Sequence, residues 1–315
     1  MGSYDLAVIG GPTASGKSAA SIALAKRLNG EVISADSMQV YTHMDIGSAK
    51  ISKDMMQGIP HHLIDILEPT EEFNVSLFKE LAEDAVQKIV QKKSFPIICG
   101  GTGFYIQSLL YGIDFKEGET DQKVRDKYEK LAESDGLSSL EERLETVDPV
   151  SAKAYHGNKK RVIRALEYLE LTGEKLSDKN KRQRAQESVY NAAYFVLTMP
   201  RELLYERIDK RVDLMMKEGL LEEVKKLMDM GVTRNMTSMQ GLGYRQIYDH
   251  LSGEYDLETA VYEIKKQTRH FAKRQMTWYR REKKVIFIDV TKFGDHDTSA
   301  ERIADHMRDI INGQI

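Results

Sequence analysis

A glycine-rich octapeptide between an apolar run and a helical pattern constrains the fold more than any other feature. It fits G-x-x-x-x-G-K-[ST] without a mismatch, and it comprises Gly11, Pro12, Thr13, Ala14, Ser15, Gly16, Lys17 and Ser18. Residues 6–10 before it predict a strand, and residues 17–28 after it predict a helix. The two glycines let backbone N–H groups surround an anion, and the helix N-terminus adds partial positive charge. The octapeptide therefore predicts a phosphate-binding turn, with Lys17 at the phosphates and the Ser18 hydroxyl as a Mg²⁺ ligand.

The order of the remaining patterns indicates the fold class. Strand patterns occupy residues 31–36, 95–99, 192–197 and 285–290, and helical patterns occupy 75–92 and 299–311. Alternating apolar strands and helices predict an α/β fold with a P-loop NTPase-like parallel sheet flanked by helices. Residues 121–184 read as helices with breaks at Gly136, Pro149, Gly157 and Gly173, which predicts an inserted all-helical subdomain. We expect a discontinuous core at 1–114 and 192–315 and an insertion at 115–191.

Composition excludes several other classes of protein. The 315 residues are 41% hydrophobic and 30% charged, as is ordinary for a globular chain. The only cysteine, Cys99, cannot form an internal disulfide or a zinc cluster, and its apolar surroundings predict a buried strand position. No basic leader and no run of 18 apolar residues is present, so we expect a cytoplasmic protein without a membrane partner.

Asp36 follows the second predicted strand, at the sheet edge where ligands of open α/β sheets collect. One interpretation is a helix cap or a turn residue, and the other is a general base or a metal ligand. A P-loop NTPase usually has a further apolar strand that ends in an Asp for Mg²⁺. Here the strand at 95–99 runs into Gly100-Gly101-Thr102-Gly103 without a carboxylate. This absence argues against an ordinary ATPase and leaves open which other diphosphate the turn would hold.

Two segments are locally basic although the net charge of the chain is −3. Residues 159–184 contain nine Lys or Arg against four Asp or Glu, and residues 265–284 contain nine against one. The second segment also contains His270, Phe271, Trp278 and Tyr279. Each run alone could be a solvated helix face, but aromatic side chains among cations suit stacked bases and phosphates. We therefore expect a nucleic-acid partner, and RNA in particular, because its loops offer unstacked bases.

The sequence resembles the tRNA dimethylallyltransferases, also called tRNA isopentenyltransferases, and is closer to the bacterial form because no zinc-finger extension follows. The resemblance runs in order over nearly the whole chain. Its segments are 10–18 (GGPTASGKS), 34–41 (SADSMQVY), 44–50 (MDIGSAK), 60–65 (PHHLID), 100–105 (GGTGFY), 160–167 (KRVIRALE), 207–212 (RIDKRV), 241–246 (GLGYRQ) and 268–278 (TRHFAKRQMTW).

The resemblance implies transfer of a dimethylallyl group from dimethylallyl diphosphate to N6 of the adenosine 3′ of the tRNA anticodon, with release of diphosphate. The octapeptide would then hold the diphosphate rather than ATP, and the insertion would grip the anticodon stem. The core channel would admit the flipped adenine from one side and the allylic diphosphate from the other. We expect the anticodon stem-loop and dimethylallyl diphosphate as partners, Mg²⁺ as cofactor and a monomeric enzyme.

By the same resemblance, Asp36 accepts the N6 proton, Thr13, Lys17 and Ser18 serve the diphosphate and Mg²⁺, and Arg207 and Arg211 clamp the diphosphate. Ser18 stands where many family members have Thr, and either hydroxyl can bind Mg²⁺. The implied tRNA-contacting set is Asp36, Ser37, Met38, Gln39, Thr102, Arg125, Lys160, Arg161, Val162, Ile163, Arg164, Gly241, Gly243, Tyr244, Arg245, Gln246, Lys273, Arg274, Gln275, Trp278 and Arg280.

Two other functions use the same features. A small-molecule kinase would place ATP on the octapeptide and use Arg207 and Arg211 as lid arginines, but it would need the missing acid. A non-catalytic RNA-binding module would not need an intact Lys17-Ser18 pair together with Asp36.

Overall fold

The computed structural model describes residues 4–113, 120–294 and 296–314. The first boundary predicted for the insertion, at 114/115, lies outside the described residues, as do the side chains of residues 184 and 296–298. The chain divides into two compact units, the first formed by residues up to 110 and from 190 onward, and the second by residues 111–189.

A six-stranded sheet with the order β3-β2-β4-β1-β5-β6 forms the centre of the first unit, and every strand pairing is parallel. This arrangement confirms the predicted α/β class. The strands are β1 (Leu6–Gly10), β2 (Gly30–Ser34), β3 (His61–His62), β4 (Phe95–Cys99), β5 (Ala192–Thr198) and β6 (Val285–Asp289).

Nine α-helices accompany the sheet within the described part of this unit. They are α1 (Lys17–Leu28), α2 (Lys53–Met56), α3 (Val75–Gln91), α4 (Gly103–Leu110), α10 (Arg201–Glu218), α11 (Leu220–Asp229), α12 (Tyr244–Leu251), α13 (Leu257–Tyr279) and α14 (His296–Ile311). Short 3₁₀ helices occupy Ser238–Gln240 and Val290–Phe293.

The element boundaries correct the sequence prediction in three places. Strand β2 ends at Ser34, so Asp36 lies beyond the strand, where its carboxylate forms a turn. Strand β6 stops at Asp289 because the Asp289 side chain accepts the Thr291 N–H and starts a 3₁₀ helix. The sequence patterns did not predict β3, whose two residues are recognisable only through their pairing with Val32 and Ile33.

The four central strands of the sheet are largely buried, as strands of parallel sheets are when helices cover them, while the edge strands β3 and β6 are partly exposed. Strands β1 and β2 are buried along their whole length, and the Cys99 thiol is buried, as predicted. Helices α1 and α14 contribute side chains to the same apolar cluster, which includes Leu24, Phe195 and Met307. The sheet core thus anchors the start of α1, where the octapeptide ends.

The second unit is helical throughout its described residues. Its helices are α5 (Gln122–Ser134), α6 (Gly136–Val147), α7 (Pro149–Tyr155), α8 (Lys159–Thr172) and α9 (Leu176–Ala185). Asp121 and Asp148 cap α5 and α7, and Gly173 ends α8 with a φ of 70°. The unit has its own core, which includes Tyr128, Leu144 and Leu166.

Among the described residues, no helix has the length and apolar content that crossing a membrane requires.

Candidate active site

A cavity of about 970 Å³ lies in the first unit, next to the segments that follow the carboxyl ends of β1, β2 and β4. These segments contribute residues 13–18, 36–39 and 100–102 to its wall. Helices α10 and α13 contribute further side chains, including Arg207, Arg211 and Arg274. The position agrees with the general location of ligand sites in open parallel sheets.

The octapeptide exposes a row of backbone donors to this cavity. Gly11 and Gly16 have φ angles of 144° and 91°, which glycine adopts without strain. The backbone N–H groups of Ala14, Ser15 and Gly16 have no acceptor among the described residues. The first amides of α1 also lack intrahelical acceptors, as at every helix start. The turn therefore offers consecutive N–H donors to an anion.

Two cations stand beside these donors without a carboxylate partner in the described part of the chain. The Lys17 Nζ donates to the Pro12 carbonyl oxygen at 2.8 Å, and the Arg211 Nη1 donates to the Thr13 Oγ1 at 3.2 Å. The pKa of Lys17 is lowered to about 8, mainly by burial and to a smaller extent by Arg211, while Cys99 and Asp36 oppose the shift. Burial likewise lowers the pKa of Arg211. Both side chains are half-buried. Since an unpaired charge that is partly shielded from water is costly, this arrangement favours an anionic ligand.

Arg207 precedes Arg211 by one helical turn on α10 and lines the same cavity. It makes no ion pair within the described ranges. The two arginines predicted to clamp a diphosphate are therefore brought together with Lys17.

Asp36 combines both of its sequence interpretations. Its Oδ1 accepts the Met38 N–H at 2.9 Å, so it does stabilise a turn. Its Oδ2 has no partner among the described residues, and the side chain lines the cavity. The other carboxylate at the cavity belongs to Glu206, which is exposed. Its Oε1 accepts a hydrogen bond from the Lys210 Nζ at 2.6 Å. Asp36 is thus the better placed of the two to act on a ligand.

The residues present fit a Mg²⁺ ion that arrives with phosphate, and they do not form a complete protein cage. The Ser18 side chain lines the cavity, and its hydroxyl has no partner in the described residues. No group of three or more His, Cys, Asp or Glu there could hold a metal. Mg²⁺ commonly takes only one or two protein oxygens and completes its shell with phosphate and water.

Burial corrects part of the predicted tRNA-contacting set. The Tyr244, Val162 and Ile163 side chains are 0–2% exposed, so they pack in the cores of their units and cannot contact RNA directly. Gln246 is also buried, and its Oε1 accepts the Gly243 N–H at 3.0 Å at the start of α12.

Gln275 has a scaffolding role that the sequence did not indicate. Its Oε1 accepts the Thr13 N–H at 3.0 Å, and its Nε2 donates to the Gly101 carbonyl oxygen at 2.9 Å. The buried amide thereby joins the octapeptide to the segment after β4. Gln275 also lines the cavity, and its predicted contact with RNA stays a prediction.

Other predicted positions do line the cavity or face solvent. Ser37, Met38, Gln39, Thr102, Gly241 and Arg245 belong to its lining, and Gly243 does not. Lys273 on α13 and Arg280, which follows the end of α13, are exposed, and Trp278 is half-buried. The earlier cations of α13 are occupied, because Lys265 pairs with Asp213 and Arg269 pairs with Asp209. The solvent-facing cations of the basic segment 265–284 therefore lie after Arg269.

The second unit carries its own basic surface. Lys160 and Arg161 at the start of α8 are exposed. Arg125 and Arg164 both pair with Glu167, which is buried, at 3.1 and 3.3 Å. Glu167 thus holds two of the predicted tRNA contacts in place within this unit.

A sequence match identifies the family of this chain. The family model described as IPP transferase matches residues 39–282. The chain belongs to the IPP transferase family. A curated tRNA dimethylallyltransferase from Lachnoclostridium phytofermentans is 54% identical over 284 residues, which cover 90% of this chain and 91% of the relative.

Solved structures of IPP transferases agree with this assignment. The tRNA isopentenylpyrophosphate transferase of Bacillus halodurans has a TM-score of 0.74 at 42% identity, covering 99% of this chain and 98% of that one. The corresponding Staphylococcus epidermidis structure has a TM-score of 0.71 at 41% identity, with 98% and 99% covered. A eukaryotic dimethylallyltransferase acting on tRNA has a TM-score of 0.82 at 30% identity, with 99% and 80% covered. This chain is therefore an IPP transferase, and the kinase alternative is not favoured.

Proposed function

We propose that this IPP transferase moves a dimethylallyl group from dimethylallyl diphosphate to N6 of the adenosine 3′ of the anticodon in tRNA. The observation that carries the proposal is that two half-buried cations without a carboxylate partner among the described residues, Lys17 and Arg211, meet the carboxylate of Asp36 in one cavity. The cations suit a diphosphate leaving group, and the carboxylate suits removal of a proton from an amine.

At the diphosphate end, the amides of residues 14–18 and the Lys17 ammonium bind phosphate oxygens. Arg207 and Arg211 approach from α10 and clamp the same group. The Thr13 hydroxyl accepts from Arg211, which leaves its own proton available to the diphosphate. These charges become more useful as the carbon–oxygen bond breaks, because negative charge then accumulates on the departing diphosphate.

Mg²⁺ would be held by the Ser18 hydroxyl together with diphosphate oxygens. The ion would supply charge neutralisation to the leaving group.

At the adenosine end, Asp36 acts as the general base. The N6 lone pair forms a bond to the allylic carbon while the bond to the diphosphate oxygen breaks. The positive charge that this leaves on nitrogen is removed when N6 gives a proton to the Asp36 Oδ2. The Met38 N–H donates a hydrogen bond to the Asp36 Oδ1 and keeps the carboxylate oriented during this transfer.

The tRNA is bound through its phosphates by exposed cations in both units. The cations of the first unit are Lys273, Arg274 and Arg280, and those of the second unit are Lys160 and Arg161. Cations of this kind suit an anticodon stem-loop as the binding partner, since a folded loop presents both phosphates and an unstacked base. Because tRNA is the substrate, we propose that the enzyme works in the cytoplasm. We also propose that it acts as a monomer, which sedimentation of its complex with tRNA tests.

Incubation with tRNA and either labelled dimethylallyl diphosphate or labelled ATP tests this function. The proposal predicts label in N6 of a single adenosine after digestion, with one diphosphate released per transfer. Phosphate transfer from ATP to a small molecule would instead support the kinase alternative. Binding of tRNA without any transfer from either donor would indicate a non-catalytic module.

A further inference from the structure

The Glu223 side chain organises a wall of the cavity although it lies on α11, outside the residues that bind phosphate. It is 9% exposed. Its Oε2 accepts the N–H groups of Asp45 at 2.9 Å and Ile46 at 2.8 Å, and its Oε1 accepts the Gly47 N–H at 3.0 Å. One carboxylate thereby fixes three consecutive backbone amides from a distant part of the chain.

Tyr244 completes this cluster. Its hydroxyl donates to the Glu223 Oε1 at 2.7 Å and accepts the Ser48 N–H at 3.1 Å. Its ring closes over Gly47, where an added Cβ would lie 2.6 Å from the Tyr244 Cζ, so the backbone can approach this closely only at glycine. Burial and the neighbouring Glu223 raise the pKa of Tyr244, which keeps the hydroxyl a donor.

The segments joined by this cluster form part of the cavity wall. Residues 47–49 line it from one segment, and Gly241, Leu242 and Arg245 line it from the other. The Gln39 Nε2 lies 3.5 Å from the Ala49 carbonyl oxygen, which extends the contact to the segment that follows Asp36. The octapeptide is held separately, through Gln275 and Arg211.

We infer that Glu223 is a positioning residue for the adenosine end of the site, because it locks residues 45–48 and 241–245 into one wall beside Asp36. The inference rests on the proposed function, since it takes the adenosine as the substrate held there. Loss of this lock should misplace the base relative to Asp36 and leave the diphosphate contacts intact. A positioning error of this kind lowers the fraction of bound substrate that is in reacting geometry.

Glu223→Gln tests the inference, because the amide keeps the size of the side chain but puts an NH₂ group against backbone donors. We expect kcat/KM for an anticodon stem-loop RNA to fall about ten- to hundredfold. The Kd for inorganic diphosphate, measured by calorimetry, should stay at the wild-type value. Glu222→Gln is the matched control, since it makes the same charge change at the exposed neighbouring residue and should leave both quantities unchanged.

Tyr244→Phe provides a second test that does not depend on the folding of the Glu223 variant. It removes the hydroxyl and keeps the ring over Gly47, so we expect a smaller reduction in the same RNA parameter. The double variant should show a smaller reduction than the sum of the two, because both changes act on one hydrogen-bonded cluster.

Two results would overturn the inference while the wild type still prenylates RNA. One is wild-type RNA kinetics in both variants, and the other is a loss of diphosphate affinity equal to the loss in RNA kinetics, which would mean general damage. A wild-type enzyme that transfers no prenyl group would refute the proposed function itself.

Discussion

The two ends of the cavity are built in different ways. The end that we propose binds the diphosphate comes from one continuous octapeptide with left-handed glycines and from the half-buried cations Lys17 and Arg211. The end that we propose binds the adenosine is assembled from residues 36–39, 47–49, 241–242 and 245, which come from segments far apart in sequence. The first gets its shape from local backbone geometry, and the second depends on Glu223 and Tyr244 for its shape.

This difference follows from the ligands. A diphosphate needs concentrated positive charge, and burying cations without partners costs stability that the bound anion restores. A neutral base needs a shaped wall and one proton acceptor. If the two ends are built separately, a substitution at one end should leave the binding of the ligand at the other end unchanged.

Asp36→Asn should give the largest effect. The amide keeps the size of the side chain but cannot accept the N6 proton, so turnover should fall roughly 10²–10⁴-fold while both substrates bind within a few-fold. The control is Glu206→Gln, which neutralises the other carboxylate of the cavity and should change turnover little. Turnover, both affinities and melting temperature are measured on each variant.

The same variant distinguishes the other interpretations of Asp36. A mainly metal-binding role would lower diphosphate affinity, and excess Mg²⁺ would partly restore it. A role in the turn alone would cost about 1 kcal/mol of stability with nearly intact turnover.

Lys17→Ala should reduce kcat/KM for dimethylallyl diphosphate by about 10²–10³-fold, because the ammonium stabilises charge that develops on the leaving group. The KM for the diphosphate substrate should rise, and tRNA affinity should change little. Lys26→Ala, on the same helix and exposed, is the control. Unchanged diphosphate kinetics in Lys17→Ala would remove the octapeptide from the mechanism.

Diphosphate affinity should fall as the pH rises above about 8. The pKa of Lys17 in the free protein is about 8, so its ammonium is present below that pH and is lost above it. The bound anion requires the charged form, which predicts a decrease of up to about tenfold per pH unit. Calorimetry with inorganic diphosphate from pH 7 to 10 measures this. The Lys17→Arg variant is the control, because its side chain stays charged over this range. Dividing the wild-type affinity by the affinity of this variant at each pH cancels the effect of the ionisation of diphosphate itself. A ratio that does not change with pH would contradict the assignment.

Neutralising Lys273, Arg274 and Arg280 together should give the smallest effect, a flatter dependence of tRNA affinity on salt. Removal of one cation–phosphate interaction should reduce the magnitude of the log–log slope by roughly 0.7–0.9. Lys53, Lys225 and Lys226 are also exposed, and neutralising them is the control. If the first triple variant kept the wild-type slope, its three cations would belong to a solvated helix face.

Local sequence was sufficient for the diphosphate end and for most of the fold. The strand before Gly11 and the helix from Lys17 were predicted at their observed bounds, because glycine geometry and apolar periodicity act over neighbouring residues. The breaks at Gly136, Pro149 and Gly173 also fall at helix boundaries, since capping is a local property.

The adenosine end could be predicted only as a set of segments. The sequence marked 36–39 and 241–246 as functional, but it did not show that Tyr244 faces the core; in the helical unit it likewise marked 160–164 without showing that Val162 and Ile163 are buried. Glu223 reads as one more charge on a surface helix, since its partners at 45–47 are distant in sequence. Such contacts depend on tertiary packing, which neither propensity nor periodicity contains.

Titration of inorganic diphosphate into wild type, Lys17→Ala and Asp36→Asn side by side tests the separation of the two ends most directly. The account predicts a large decrease of affinity in Lys17→Ala and an affinity within a few-fold of wild type in Asp36→Asn, although the latter no longer turns over at the wild-type rate. Equal decreases in the two variants, or wild-type affinity in Lys17→Ala, would contradict it.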